Sequence, residues 1–415
     1  MGNGIRLEDL LPSPAVTALD AAGPADLLVG LPVLNQVRSI TRVVSSVAAG
    51  LAKHFSPLKT RVLVVDAGSQ DGTLEALRTW RETAPSTPPV QDVRLTGPPQ
   101  RGRAILTILA AVERLKARGC VLLDADLMSA TGSWVDQLLT PLLREEADFV
   151  SPAYTRAVSE GTLTTNLLAP WTRALYGKRV QQPVGGCVGL SAGLVDRFLQ
   201  ADIWTSDLAV VGPDLWMTTE ALISGARVVE THLGRKIVEA STGQPDLATT
   251  VTRVVGSLFR LMERHHAFWE EVRGSVPPPR TGEPAGLLPE TGGIQVERMV
   301  RAFRLGLKDL LPVWEQIMPE ETLTRLYPLG LLAVEEFQLP PALWARVVCD
   351  FALAFQERRL SRDHLLRALT PLYLGRVAGF LLEAQATPAA RLPVILETID
   401  RAFEEEKDRL RARWR

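Results

Sequence analysis

The stretch Gly119-Cys120-Val121-Leu122-Leu123-Asp124-Ala125-Asp126 sets four apolar residues against an abrupt pair of acids. Such a run reads as a buried strand ending at its first carboxylate. Arg61-Val-Leu-Val-Val-Asp66 repeats the pattern upstream, and Ala25-Asp-Leu-Leu-Val-Gly-Leu-Pro32 gives a first strand. Helical spacing separates them: Val43, Val47 and Leu51 recur every four residues, and Ile105, Leu109, Val112 and Leu115 share one face within 101–118. Gly68-Ser69-Gln70-Asp71-Gly72 is a turn, with Asp71 or Thr73 as the cap of the next helix. Strand and helix in alternation over residues 25–245 predict an α/β sheet. Open sheets of this kind bind ligands outside the carboxyl ends of their strands, where Asp66 and Asp124 stand. Two carboxylates one residue apart at a strand end can share a hard cation such as Mg²⁺ or Mn²⁺ and leave coordination sites for diphosphate oxygens.

Composition narrows the function classes. The 415 residues carry 46 Lys and Arg against 47 Asp and Glu, without the basic excess a nucleic-acid binder needs. A hydrophobic share of 46% is that of a folded chain. No uninterrupted apolar run approaches the roughly 18–20 residues of a membrane span. Cys120, Cys187 and Cys349 are too few and too scattered for a disulfide framework. A cytoplasmic protein is the expectation. No Gly-x-Ser-x-Gly elbow, phosphate-binding Gly-x-x-x-x-Gly-Lys loop or dinucleotide fingerprint occurs.

Five prolines and five glycines fall within residues 273–293, which read as a linker or extended loop. The organisation expected is an N-terminal segment (1–24), an α/β catalytic domain (25–245), a helix after the core (246–272), the linker (273–293) and a helical C-terminal domain (294–415). Val300, Phe303, Leu307, Leu310 and Leu311 form one stripe of that domain; Leu365, Leu366, Leu369, Leu372 and Tyr373 form another. The terminal Glu404-Glu-Glu-Lys-Asp-Arg-Leu-Arg reads as a solvated helix. Packing and homodimerisation are the expected roles of this half.

Three motifs follow in order at strand ends: Leu31-Pro32-Val33-Leu34-Asn35-Gln36, Asp66-Ala-Gly-Ser69-Gln-Asp71, and Asp124-Ala125-Asp126. Together they resemble the nucleotide-sugar-binding half of family-2-like glycosyltransferases of the GT-A fold. Arg101-Gly102-Arg103 is similar to the Gly-Lys-Gly stretch of mannosylglycerate and glucosyl-3-phosphoglycerate synthases, with Arg101 in the lysine position. The resemblance implies a Rossmann-like mixed sheet with a helical C-terminal extension. It implies donor contacts from Pro32, Leu34, Asn35, Asp66, Ser69, Arg101, Gly102 and Asp124-Ala125-Asp126, with Asp124 and Asp126 on the metal. Tyr154-Thr-Arg156, Gly161-Thr-Leu-Thr164 and Gln182-Pro-Val-Gly185-Gly186 resemble the acceptor region. There Arg156 offers a planar fork to an acid, Thr164 a hydroxyl, and Gly185 and Gly186 close backbone approach. Gly212-Pro213-Asp214 matches a short segment facing the reaction centre; Asp214 would orient the acceptor hydroxyl or stabilise charge on the sugar, and is also the expected helix N-cap.

Two departures stand out. Val238 occupies the place of the family's metal-binding His, and Gln36 that of a Glu. Glu239 or His232 would substitute after a small register shift; alternatively Arg235 and Lys236 neutralise the diphosphate directly. Lys178 and Arg179 are candidate phosphate ligands of the acceptor segment, a solvated loop being the plainer reading. Adjacent His265 and His266 point about 100° apart on a helix and make a poor metal pair. The activity implied is transfer of glucose or mannose from a UDP or GDP sugar to glycerate or 3-phosphoglycerate, with retention, giving a compatible solute or polysaccharide precursor. The alternatives are an inverting transferase with a polysaccharide or lipid-linked acceptor, and a degenerate nucleotide-sugar-binding protein.

Overall fold

The computed structural model describes residues 7–11, 13–84, 88–206, 208, 212–239, 246–283, 286–290, 292 and 295–414. The chain forms two compact units that interleave in sequence. The first comprises residues 1–154, 184–244 and 278–284; the second comprises 155–183, 245–277 and 285–415.

The first unit is built on a mixed sheet. Its strands are β1 (Leu27–Val33), β2 (Thr60–Asp66), β3 (Val90–Arg94), β4 (Gly119–Leu123), β5 (Phe149–Ala157), β6 (Cys187–Ser191), β7 (Val228–Arg235) and β8 (Arg280–Thr281), in the order β3-β2-β1-β4-β6-β5-β7-β8. The last three residues of β5 belong to the second unit. β1 runs parallel to β2 and β4, and β6 runs antiparallel to β4. β1 continues one residue past the expected end at Pro32. Its pairing with β4 stops at Gly30, so Pro32, which has no N–H to donate, lies where only β2 is a partner. β3 has a polar sequence, Val-Gln-Asp-Val-Arg, and shows no alternation from which to read an edge strand.

Val43, Val47 and Leu51 are buried on helix Ile40–His54, as their spacing predicts. This helix crosses helix Gly132–Leu143 at a pair of glycines. A Cβ on Gly50 would lie 2.5 Å from the Gly132 carbonyl oxygen, so the two backbones touch without intervening side chains. Helix Arg101–Leu115 covers the other face, and Gly30 makes room there for Ile108, whose Cγ2 would be 2.2 Å from an added Cβ.

The second unit is mostly helical. A short strand, β9 (Leu287–Leu288), pairs with Arg156–Ala157. With β8 it lies in the Pro/Gly-rich stretch expected to be linker, of which residues 284, 285, 291 and 293 are outside the described set. The C-terminal helix Leu392–Arg413 is not solvated throughout. Lys407 and Leu410 are buried, and Lys407 Nζ donates to the carbonyls of Ala174 and Val272. Glu397, Asp400 and Glu404 of this helix surround Arg173 at 2.7–3.2 Å, and Trp171 meets Phe403 edge-on. The apolar stripe from Leu365 to Tyr373 spans two helices, Arg362–Ala368 and Thr370–Gln385, that break before Pro371. By length and composition 362–385 is apolar enough to cross a membrane, yet 72% of its apolar window is buried inside the protein.

Gly50→Ala should force the two backbones apart. A lower urea midpoint of unfolding, corresponding to about 2 kcal/mol, is the expected result; an unchanged midpoint would show that the crossing tolerates a methyl group.

Candidate functional site

The ends of β1 and β2 are joined by a lattice of side-chain-to-backbone hydrogen bonds. Asn35 adopts the left-handed conformation (φ 58°), its N–H donates to Ser69 Oγ at 2.8 Å, and its Oδ1 accepts from the Gln70 N–H at 2.9 Å. Gln36 N–H donates to Thr73 Oγ1, and Val37 N–H donates to Asp71 Oδ2. Gln36 Oε1 takes the Leu34 N–H at 2.7 Å, so glutamine serves this turn without the family's carboxylate. Asp71 is not the N-cap, a place held by Gly72; it accepts instead from Thr73 N–H and hydroxyl. Asp66 is fully buried at the end of β2. Its Oδ1 accepts from the backbone and hydroxyl of Ser69, while its Oδ2 has no hydrogen-bond partner among the described residues and lies 3.6 Å from Arg94 Nε. A buried carboxylate oxygen left in this state is costly unless a donor arrives. Arg94 was missed in the sequence because β3 was.

Arg101 opens its helix and reaches two carboxylates. Its Nη1 is 2.5 Å from Asp124 Oδ1, and its Nε and Nη2 donate to Asp214 at 3.1 and 2.8 Å. Asp214 is therefore not the N-cap of helix Pro213–Ile223. Gly212 is, and Asp214 sits in the first turn with its carboxylate on the guanidinium. Burial would raise the pKa of Asp214, but the charge and hydrogen bonds of Arg101 outweigh it and hold the group below the usual value. Asp124 behaves oppositely. Burial pushes it up to about 7, Arg101 opposes the rise, and the charges of Asp126 and Asp214 add to it. Asp126 is raised by burial against the pull of Arg101 and Lys236, and makes no ion pair among the described residues.

Residues 236–239 lie along the acidic turn. Val238 pairs with Leu127 in an antiparallel bridge, and Glu239 N–H donates to the Asp126 carbonyl at 2.8 Å. The Glu239 carboxylate accepts from Ser39 Oγ at 2.5 Å. His232 lies on β7 beside Gly282, and burial lowers its pKa. Among the described residues no three His, Cys, Asp or Glu side chains are grouped as a metal site. Lys236 Nζ donates to the Gly185 carbonyl at 2.8 Å, which also accepts from Tyr154 Oη. Gly186, at φ 82°, leaves Asp124 uncovered: a Cβ there would be 3.2 Å from Asp124 Oδ2 and 3.5 Å from Lys236 Nζ. Gly185 is required by packing, since its Cβ would strike Pro152 Cγ at 2.3 Å.

The remaining expected residues lie in the second unit. The Arg156 guanidinium rests over Gly161, where a Cβ would come within 1.9 Å of its Nη1. Its Nη2 reaches Thr165 Oγ1 at 3.4 Å rather than Thr164, the buried first residue of a π-helical turn, Thr164–Leu168. Arg179 Nε donates to Ser275 Oγ at 3.1 Å.

The fold is a Rossmann-like mixed α/β sheet with a helical C-terminal region. Residues 28–198 match the model of Glycosyl transferase family 2. No curated protein matches the sequence. Solved structures of glucosyl-3-phosphoglycerate synthase from Mycobacterium tuberculosis are similar. The complex with Mg²⁺ and uridine diphosphate is 21% identical with a TM-score of 0.42, over 61% of this chain and 84% of that one. The complex with Mn²⁺, UDP-glucose and phosphoglyceric acid is also 21% identical, with a TM-score of 0.40 over the same shares.

Replacing Arg101 by Met would leave Asp124, Asp126 and Asp214 facing one another without the guanidinium. Calorimetry should then show affinity for a nucleoside diphosphate lower by tenfold or more, on the order of one charge-assisted contact. Unchanged affinity would remove Arg101 from the donor site.

Proposed function

We propose that the protein transfers glucose or mannose from a UDP or GDP sugar to glycerate or 3-phosphoglycerate, with retention of anomeric configuration. The observation that carries this reading is the Arg101 guanidinium shared by Asp124 and Asp214 at the end of the first half-sheet. It joins a donor-side acid to the acid expected at the reaction centre. The Oδ2 of Asp66, which accepts no hydrogen bond, supports contact with a base or ribose donor group.

The residue set fits a divalent cation held by two carboxylates. Asp124, Asp126 and Asp214 face two cations, Arg101 and Lys236, so an incoming diphosphate requires further positive charge. Asp126 and Asp124 would hold Mg²⁺ or Mn²⁺, the diphosphate supplying other oxygens. When bound, the ion would neutralise charge on the departing nucleotide. Arg101 and Lys236 add fixed positive charge beside the same group. Asp214, kept ionised by Arg101, is a poor proton acceptor; its part is to orient the acceptor hydroxyl and stabilise positive charge on the sugar. Same-face transfer needs no stronger base. Arg156, with Thr164, would seat the acceptor acid, and a homodimer through the helical C-terminal domain completes the proposal.

A second reading, a nucleotide-sugar-binding protein without transferase activity, draws on Val238 in place of a metal ligand. A mass-spectrometric assay separates the two, crossing UDP-glucose, GDP-glucose and GDP-mannose with glycerate and 3-phosphoglycerate under Mg²⁺, Mn²⁺ or chelator. A hexosyl-glycerate product that disappears with chelator is expected. Asp126→Ala should reduce turnover about 100-fold or more with the fold intact. No product from any pair, with nucleotide still bound, would favour the second reading.

A further inference from the structure

The turn 161–168 carries Thr164 and supports Arg156, and its shape is irregular for a reason visible in the sequence. Asn166 is followed four residues later by Pro170, which has no N–H to send to the Asn166 carbonyl. That buried carbonyl needs a donor from elsewhere. It comes from Trp344, whose Nε1 lies 2.7 Å away. The Asn166 side chain is equally occupied: its Nδ2 donates to the Thr162 carbonyl, and its Oδ1 accepts from Arg376 Nε at 2.9 Å. Thr162 Oγ1 in turn meets Tyr373 Oη at 2.7 Å. Trp344, Tyr373 and Arg376 all belong to the second unit and are at most 2% exposed.

Arg376 is unusual. Its Nη1 donates to the Leu339 carbonyl, its Nη2 has no partner, and it makes no ion pair among the described residues. A buried guanidinium held only by neutral acceptors is a poor way to stabilise a helix, where a hydrocarbon of similar volume would do better. The group makes sense as a clamp on Asn166. π-Helical turns, moreover, occur frequently at functional sites.

We propose that Trp344, Tyr373 and Arg376 are positioning residues for the acceptor segment, fixing the 161–168 turn through Thr162 and Asn166. Acceptor affinity is then set by side chains 178 to 211 positions further along the chain. The inference rests on the reading of Arg156 and Thr164 as acceptor-binding.

The test uses full-length Thr162→Val, Thr162→Ser, Tyr373→Phe, Arg376→Lys and Arg156→Ala. Steady-state kinetics give separate KM values for donor and acceptor. Calorimetry with 3-phosphoglycerate and with UDP gives binding free of turnover. Thr162→Val and Tyr373→Phe should each weaken 3-phosphoglycerate about fivefold, the effect of one hydrogen bond, and leave UDP affinity and donor KM unchanged. Thr162→Ser should restore the acceptor value, and the double variant should be no worse than either single one. Should Arg376→Lys fail to fold, the Thr162 and Tyr373 pair still decides. Acceptor affinity unmoved in those variants, but lost in Arg156→Ala, overturns the inference and leaves the functional reading standing. Parallel losses for donor and acceptor with a lowered Tm also overturn it, as a purely structural role. If Arg156→Ala too binds acceptor normally, the acceptor reading falls and this inference with it.

Discussion

One guanidinium organises the donor half of this protein. Arg101 is the first residue of its helix, yet its side chain reaches both the turn after β4 and the first turn of helix Pro213–Ile223. Three elements distant in sequence are thereby held with their acids a few ångströms apart. Without the cation, that juxtaposition would be repulsive. Arg101 lowers both partners, yet they end on opposite sides of the usual value: burial and the charges of Asp126 and Asp214 carry Asp124 up to about 7, while Asp214 is held down.

The hydrogen-bonded turns after β1 and β2 perform a different task. Asn35, Ser69, Asp71 and Thr73 bind one another's backbones, and so hold a loop that would otherwise be loose. Side chains of this kind compete well for backbone groups in turns. Asp66 is left with one oxygen engaged by Ser69 and the other without a hydrogen-bond partner. Each turn group held in this way before a ligand arrives reduces the entropy lost on binding.

Much of this was legible because the signals were local. Apolar runs ending in Asp66 and Asp124 gave the strands, and the spacing of Val43, Val47 and Leu51 gave the helix face. The edge strand β3 was not legible, since an edge strand can be polar. Nor was the grouping of Arg101 with Asp214, which depends on how the sheet brings their helices together. Asp214 reads equally well as a cap, and only the location of its partner decides. Lys407 lies within a charged tail and gives no local sign of burial; two carbonyls far upstream account for it. In the second unit, Thr165 rather than Thr164 meets Arg156 because the π-helical turn shifts which side chain faces the strand.

The interleaving of the units has a consequence for biosynthesis. Segment 155–183 leaves the ribosome long before the helices that complete its unit. Thr162 precedes Tyr373 by 211 positions. At roughly 5–20 residues per second, the gap is about 10–40 s. Throughout that interval Asn166, buried in the finished protein, lacks its partners Trp344 and Arg376. The first unit meanwhile lacks β8, which enters its sheet only after residue 281 has emerged. The second unit therefore cannot close until its last helices have been made, and segment 155–183 must keep its apolar surface out of trouble until they arrive.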